Sequence, residues 1–279
     1  MRNFTKMQGI GNDYVYFDCT KEDIENPDEL SVRLSDRRFG IGSDGIILIR
    51  PSAVADFKMS MFNADGSEGK MCGNGTRCVG KFVYDKRLTD KTSITIETLS
   101  GIKHLDLTLC GGRVKTVNVN MGKAVLKSRE IPTTLDMEKI VNEPLIVAGA
   151  TYNITCVSMG NPHCIVYVDN PYELDLEKIG PGFDYHEIFP ERVNTEFVRV
   201  IDDKTFEMRV WERGSGETWA CGAGACAVVV AGVLNGHCRH NEEIRVKLRG
   251  GDLLITYMDD GTVYMNGPAE IVFEGCIKL

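Results

Sequence analysis

The sequence has 279 residues, of which 43% are hydrophobic and 26% charged, with 29 glycines and 9 prolines. This composition is typical of a globular protein and excludes a disordered, collagen-like or coiled-coil chain. The formal net charge of −8 argues against nucleic acid or an anionic membrane surface as the main partner.

The elements predicted in the first part of the chain are strands with one informative helix. Val79, Phe82 and Val83 have the spacing of one helix face and predict a helix after Cys72. Gly111-Gly112 predicts a hairpin turn. Partial or clear alternation of apolar and polar side chains predicts strands at residues 57–62, 93–97, 104–109 and 114–119.

The stretch 123–143 lacks a clear period and is the best candidate for a linker. After it, alternation predicts strands at residues 197–200, 205–210, 244–248 and 253–257. Residues 225–234, which follow Cys221, are apolar on every face of a helix and end at the stop signal Asn235-Gly236. Such a helix must be surrounded, so we predict a curved sheet wrapped around it.

No segment predicts a membrane span or a secretory signal. The longest apolar run, residues 219–234, contains glycine and is shorter than the roughly 20 residues that a bilayer requires. The first nine residues lack the apolar core and cleavage site of a signal peptide. We therefore expect a cytoplasmic protein with no membrane partner, whose ten cysteines do not form disulfides.

An internal repeat relates the two parts of the chain. Gly-Asn opens the strand-like segments 11–18 and 160–169, and Cys-Gly-x-Gly occurs at residues 72–75 and 221–224. Sixty positions separate the Asn from the Cys in both copies. We therefore predict an α/β protein of the α+β type. Its pseudo-symmetric domains, 1–125 with Cys72 and 126–279 with Cys221, would each be a barrel-like, mostly antiparallel sheet around a central helix.

The position of both cysteines at a predicted helix start has chemical meaning. The N–H groups of a first helical turn lack intrahelical partners and carry partial positive charge, which attracts anions and favours a thiolate. If the two halves face each other, Cys72 and Cys221 meet across a cleft. A redox pair and a nucleophile with a relay are alternatives, but two equivalent proton carriers are best suited to inversion of one carbon centre.

The other cysteines and histidines give no pattern of a metal site. The chain has no C-x-x-C pair, and His104, His186, His237 and His240 lack ligand spacing. Cys78 and Cys226 lie inside the predicted helices, where packing is their expected role. We therefore assign no metal from these residues.

The segments around Asn12, Cys72, Asn161 and Cys221 resemble diaminopimelate epimerase. The resemblance runs through nearly the whole chain, in the order of that family, and its blocks are residues 6–13, 62–68, 71–78, 158–164, 189–194, 212–214 and 220–226. It implies two pseudo-symmetric halves, each with a sheet around a central helix. It also implies interconversion of LL- and meso-2,6-diaminopimelate in lysine biosynthesis, without pyridoxal phosphate or metal.

The resemblance assigns roles to particular residues. Cys72 and Cys221 would be the paired acid and base, while His163 and Glu212 would assist by positioning or polarising the thiols. The residues that would hold the substrate are Asn12, Asn63, Gly73, Asn74, Asn161, Asn194, Glu212, Arg213, Gly222 and Ala223. For a lone His, a satisfied core position would be the safer interpretation, and the location of His163 two residues after Asn161 favours function.

Two positions depart from the family pattern. Gly45 stands where some members have a polar amide, and the internal repeat shows the same gap, because position 45 corresponds to Asn194. Gly45 is therefore left out of the predicted binding residues. Ala223 stands where a hydroxyl residue is frequent, which weakens a side-chain role there and leaves its backbone N–H able to bind.

Two alternative functions remain open from the sequence. A related two-cysteine racemase of proline, hydroxyproline or histidine would share the fold, although Asn63, Asn161 and Asn194 favour a substrate with a second polar head group. A non-enzymatic amino-acid-binding protein would need the asparagines and helix starts but not both cysteines. A homodimer is plausible from the resemblance.

Overall fold

The protein folds into two units in this computed structural model, which describes residues 1–278. The first unit contains residues 1–120 together with the chain from 266 onward, and the second contains residues 121–265. The predicted halves, 1–125 and 126–279, differ from these units chiefly at the C-terminus, because the last strand of the chain is part of the first unit's sheet.

The first unit is a mostly antiparallel sheet with two helices. Its strands are β1 (Arg2–Gly9), β2 (Asn12–Asp18), β3 (Gly45–Arg50), β4 (Phe57–Asn63), β5 (Glu68–Gly69), β6 (Ser93–Thr98), β7 (Gly101–Cys110) and β8 (Arg113–Lys123), and its helices are α1 (Pro27–Ser35) and α2 (Gly73–Asp85). Neighbouring strands pair antiparallel, except that β2 pairs with β3 and β4 pairs with β6 in parallel. α2 packs against β1, β2 and β7.

The second unit repeats this plan. Its strands are β9 (Glu143–Val147), β10 (Ala150–Ser158), β11 (Pro162–Tyr167), β12 (Asn194–Asp202), β13 (Thr205–Glu212), β14 (Gly216–Thr218), β15 (Glu243–Leu248), β16 (Gly251–Tyr257) and β17 (Thr262–Pro268), and its helices are α3 (Leu176–Asp184) and α4 (Gly222–Leu234). The parallel pairs are β11 with β12 and β13 with β15, which are the counterparts of the two parallel pairs in the first unit.

The last strand, β18 (Glu270–Ile277), pairs antiparallel with β1. The second unit has an equivalent pairing, in which β9 lies antiparallel beside β10. The first unit thus takes this strand from the end of the chain, while the second unit takes it from the segment that directly precedes β10.

The central helix of the second unit is buried as its composition predicts. Ala225 to Ala231 are fully buried, and α4 packs against β10, β11, β12, β15 and β16. A helix without a polar face is stable only where every side is covered. In the first unit, Val79 and Val83 of α2 are also fully buried. The prediction of a sheet around a central helix is confirmed for each unit.

The strands predicted from alternation are confirmed, and so are the starts of the two central helices. α1 and α3 were not predicted, because α1 is short and α3 contains Pro181, which is a poor residue for a helix interior. Short 3₁₀ turns at Ser128–Glu130 and Pro171–Glu173 also lie outside the predicted elements. Within residues 1–278, no helix combines the length and apolar character needed to cross a bilayer.

Candidate active site

The same cap geometry places a cysteine at the start of each central helix. Cys72 precedes α2 with an extended backbone, and its sulfur accepts a hydrogen bond from the Gly75 N–H at 3.3 Å. Cys221 precedes α4 in the same way and accepts from the Gly224 N–H, also at 3.3 Å. Each sulfur therefore lies at the positive end of a helix dipole, where a thiolate is stabilised.

In the first unit, an amide and a phenol lie beside the thiol. Asn12 Oδ1 lies 3.1 Å from Cys72 Sγ, and the Asn12 amide donates to Asp44 at 2.7 Å. The Tyr14 side chain also faces Cys72, and burial, followed by the charge of that thiol, raises the pKa of Tyr14 well above its ordinary value. Cys72 thus has hydrogen bonds with the Asn12 amide oxygen and the Gly75 N–H.

An ion-pair network behind Asn12 fixes its orientation. Lys6 lies 2.5 Å from Asp13, and Arg37 bridges Asp13 at 2.8 Å and Asp44 at 3.0 Å. Burial acts to raise the pKa of Asp13, but Arg37 and Lys6 outweigh it and hold that pKa below its usual value. Asp44 forms an ion pair with Arg37 and accepts a hydrogen bond from the NH₂ group of Asn12. The oxygen of the same amide therefore points to the sulfur of Cys72.

In the second unit, a buried His–Glu pair lies beside the thiol. His163 Nδ1 is 2.7 Å from Glu196 Oε1, and His163 Nε2 is 3.0 Å from Asn161 Oδ1. Both His163 and Glu196 are fully buried. One ligand-type atom from each of His163, Glu196 and Cys221 lies within 4.8 Å of the other two. The imidazole is therefore close enough to interact electrostatically with the sulfur.

Glu212 supplies a further carboxyl group to this cluster. Its pKa is raised by burial and, secondarily, by the charge of Glu196, although a hydrogen bond from Thr218, the charge of His163 and an interaction with the Cys221 thiol act in the opposite direction. A carboxyl group with a raised pKa is suited to exchange a proton near neutral pH.

Asn194 and Arg213 lie at neighbouring strand ends next to Glu212. The Arg213 N–H donates to Asn194 Oδ1 at 2.9 Å, and the Arg213 guanidinium donates to the Glu191 carbonyl at 2.8 Å. Asn194 is buried and Arg213 is half-buried. Asn161, Asn194 and Arg213 thus lie at or directly next to the ends of β11, β12 and β13.

The remaining predicted residues occupy turns and helix starts. Asn63 lies in the β4–β5 hairpin, where its amide donates to Ser67 at 2.9 Å. Gly73 and Asn74 form the first turn of α2, and Gly222 and Ala223 form the first turn of α4. These first turns are ready-made sites for a carboxylate.

Gly45 has a steric reason to be glycine. It pairs with Asn63 across β3 and β4, and a Cβ atom there would collide with the Phe62 carbonyl oxygen and lie 2.9 Å from the Tyr14 ring. An amide side chain does not fit without movement of these groups, because the Tyr14 ring occupies the space that it would need.

Three residues near the thiols were missed by the sequence-based prediction: Tyr14, Asp44 and Glu196. The internal repeat contains a signal for two of them, because an offset of 149 positions aligns Tyr14 with His163 and Ile47 with Glu196. The strand register agrees, since Val15 pairs with Ile46 in the first unit and Cys164 pairs with Thr195 in the second. The same offset relates Asn63 to Glu212.

The His163, Glu196 and Cys221 cluster is the candidate metal-binding group among residues 1–278. A metal ligand needs a lone pair on a ring nitrogen, and both nitrogens of His163 already have hydrogen-bond partners. The hydrogen bonds therefore favour a proton-transfer cluster over a metal centre.

Cys78 contrasts with the two capping cysteines. It is fully buried inside α2, and burial raises the pKa of its thiol to about 11. A thiol of this kind is unreactive near neutral pH. Cys226 is also fully buried inside its helix. Both positions fit the predicted packing role.

Comparison with known proteins gives the same family for both units. The family model described as diaminopimelate epimerase matches residues 4–127 and 155–272. A diaminopimelate epimerase from Methanococcus maripaludis is 57% identical over 277 residues, covering 99% of each chain.

Solved structures share the fold at low sequence identity. A phenazine biosynthesis protein of the PhzF family from Bacillus anthracis aligns over 100% of this chain and 99% of its own, with a TM-score of 0.72 and 18% identity. A probable proline racemase from Agrobacterium radiobacter covers 100% of this chain and 93% of its own, with a TM-score of 0.71 and 12% identity. The fold is thus common to several activities, and it is the sequence match along almost the entire chain that places the protein in the diaminopimelate epimerase family.

Proposed function

We propose that the protein is a cofactor-independent isomerase that interconverts LL- and meso-2,6-diaminopimelate, a step of lysine biosynthesis. The family membership supports the substrate, and the observation that carries the chemistry is the equivalent placement of Cys72 and Cys221 as helix caps. One thiolate would remove the α-proton, and the other thiol would deliver a proton to the opposite face of the same carbon. Neither step requires an oxidant, so atoms and electrons balance.

The helix starts support binding of the reacting amino-acid group. First-turn N–H groups at Gly73-Asn74 and Gly222-Ala223 are suited to hold a carboxylate, whose negative charge grows as the α-proton leaves. Asn12, Asn161 and Asn194 would contribute amide groups, and Asn63 and Arg213 would bind polar parts of the substrate. This polar set favours diaminopimelate over proline as substrate.

His163 and Glu212 would assist from the second unit. Both interact with the cluster that contains Cys221, and Glu212 has a raised pKa because it is buried. We propose that they adjust the protonation of this thiol, and that Asn12 and Tyr14 do so for Cys72 with neutral groups. The two sulfurs would therefore perform the same chemistry with different support.

Proton exchange with solvent tests this function. In D₂O, the protein should interconvert the LL and meso isomers and incorporate deuterium at the α-carbon of the product, measured by NMR and chiral chromatography. Cys72→Ser and Cys221→Ser should each reduce epimerisation by roughly 10²- to 10⁴-fold, because a missing acid or base removes the proton-transfer step. Cys110→Ser, which changes an exposed cysteine, should remain fully active.

Alternative outcomes identify the rival functions. A protein that binds diaminopimelate without deuterium incorporation is a binding protein and contradicts the proposal. Racemisation of proline, hydroxyproline or histidine in preference to diaminopimelate assigns the protein to another substrate class. Full turnover by either cysteine variant would contradict the two-thiol scheme.

We also propose a homodimer in the cytoplasm, as the family resemblance implies. Light scattering at micromolar concentration tests the oligomeric state, and a mass of one 31.0 kDa chain would contradict the dimer.

A further inference from the structure

Glu196 is a buried acidic residue that neither the sequence analysis nor the proposed function uses. It lies on β12, is fully buried, and its Oε1 atom is 2.7 Å from His163 Nδ1. Its other oxygen, Oε2, is also buried and has no hydrogen-bond partner among the described residues. An isolated buried carboxylate is costly, so a compensating positive charge is expected next to it.

His163 is the group that can carry this charge. Both of its ring nitrogens face oxygen atoms, Glu196 Oε1 and Asn161 Oδ1, at hydrogen-bond distance. A neutral imidazole has one N–H and donates to only one acceptor, whereas an imidazolium donates to both. The geometry of His163 is therefore complementary to the doubly protonated ring.

The first unit provides a natural comparison. Ile47 occupies the position that corresponds to Glu196, and Tyr14 occupies that of His163. The side chains of Ile47 and Glu196 both reach the third residue after the capping cysteine: a Cβ on Gly75 would lie 2.7 Å from Ile47 Cδ1, and a Cβ on Gly224 would lie 2.5 Å from Glu196 Oε1. The repeat thus conserves the backbone around the two thiols and differs in charge.

We propose that Glu196 is a positioning residue that holds His163 as an imidazolium beside Cys221, so that Cys221 is the sulfur that rests as a thiolate. This proposal rests on the proposed function only for its consequence, which is that Cys221 removes the α-proton and Cys72 delivers one when catalysis starts from the resting state. Loss of the Glu196 charge would leave a cation without its counter-ion in a dry site, and His163 would release its proton. The thiolate would then lose the positive charge of His163.

The other titratable groups around His163 are included in this expectation. Glu212 on β13 faces the same cluster and has a raised pKa through burial, and Cys221 approaches from the start of α4. Cys164 lies next to His163 on β11 and interacts with Glu196, and burial raises the pKa of its thiol well above the usual value. Glu196 itself also repels a thiolate, so the proposal requires the imidazolium to outweigh both carboxyl groups.

Alkylation of the intact protein tests the proposal without an epimerase assay. The rate of Cys221 modification by iodoacetamide, measured by peptide mass spectrometry from pH 5 to 10, reports its thiolate fraction. In Glu196→Gln the midpoint of this profile should rise by about one pH unit, which is roughly tenfold slower labelling at pH values below the native midpoint. The Cys72 profile in the same sample is the internal control and should not move.

A second signal reports the ring itself. The ¹⁵N shifts of His163, assigned by comparison with His163→Gln, should be those of an imidazolium at pH 7 in the native protein and of a neutral ring in Glu196→Gln. Glu196→Ile, which introduces the residue of the first unit, should give the same two changes. Glu243→Gln changes an exposed carboxylate on β15 and should give neither.

Two results would overturn the proposal. One is a Cys221 profile in Glu196→Gln that stays in place or moves to lower pH, which would show that the carboxylate only repels the thiolate. The other is a neutral His163 ring in the native protein at pH 7. Neither result bears on the proposed function, which fails only if the native protein does not epimerise diaminopimelate.

Discussion

Single side chains make the two capping thiols unequal, although the backbone around them is equivalent. Cys72 has an amide oxygen at 3.1 Å, whereas Cys221 lies in a cluster with His163 and Glu196. In a low-dielectric interior, charges at this range change proton affinities more than a neutral hydrogen bond does. The chemistry of each thiol is therefore set by two or three neighbours that can be changed one at a time.

Glu212 should limit the stability of the folded protein at higher pH. Burial raises the pKa of its carboxyl group above the unfolded value. The contribution of this pKa shift to the free energy of unfolding is fully present below the unfolded pKa, and it is lost as the pH rises through the folded pKa. Glu212→Gln should therefore increase the free energy of unfolding at pH 8 relative to the native protein, with less benefit at pH 4. Urea unfolding at both values measures this difference.

The same substitution should reduce epimerisation, by about 100-fold, because the proton-exchanging group is gone. Stability gained at the expense of activity is typical of a residue that is held in an unfavourable state for function. Glu243→Gln serves as the control, since its exposed carboxylate should show neither effect. Equal stability of the Glu212→Gln variant and the native protein at pH 8 would indicate that this carboxylate is not penalised by burial.

At the scale of elements, each central helix depends on the cysteine that precedes it. The sulfur accepts the N–H of the third residue after it, which is the role of an N-cap side chain. Cys221→Ser keeps an acceptor at the cap, while Cys221→Ala removes it. The alanine variant should unfold about 1 kcal/mol more easily than the serine variant, and both should be inactive.

Chemical denaturation of both variants measures the cap separately from catalysis. Cys72→Ser and Cys72→Ala form the matched pair for α2. If serine and alanine give the same stability at both sites, the sulfur does not act as a cap, and its placement serves chemistry alone.

The central helices and their caps were predictable because their signals are local. A Cys-Gly-x-Gly followed by apolar residues at helical spacing marks the start and the buried faces of α2 and α4. Glu196 was not predictable in this way, since it lies within a strand whose first five residues are all buried and no local motif distinguishes it from them. Its role depends on the parallel pairing of β11 and β12, which places His163 beside Asn194 although the two are 31 positions apart in the chain.

At the scale of the whole molecule, the repeat predicts two units of the same topology but not which segment completes each sheet. β9 directly precedes β10, so that pairing is a hairpin between neighbours. β18 joins β1 from the opposite end of the sequence, and no local pattern identifies the partner of such a strand. The predicted second half runs from residue 126 to residue 279, whereas in the structure the residues from 266 onward belong to the first unit.

This arrangement makes the first unit dependent on the end of the chain. β18 covers β1 along residues Arg2 to Gln8, and Phe273 packs edge-on against Phe4 with ring centroids 5.9 Å apart. A chain truncated after Ala269 should lose this pairing and expose the edge of β1. We expect a loss on the order of 3 kcal/mol or more from the first unit, from the lost hydrogen bonds and apolar burial.

Hydrogen exchange resolves the effect by unit. After truncation, amides in β1 and β2 should exchange faster, while amides in β10, β11 and β12 should keep their protection because the second unit has its own equivalent strand, β9. Val272→Ser, which changes a side chain that is 55% exposed on β18, should leave exchange in both units unchanged. Equal acceleration in both units would show that they unfold as one cooperative body, and unchanged exchange in β1 would show that β18 contributes little to the sheet it completes.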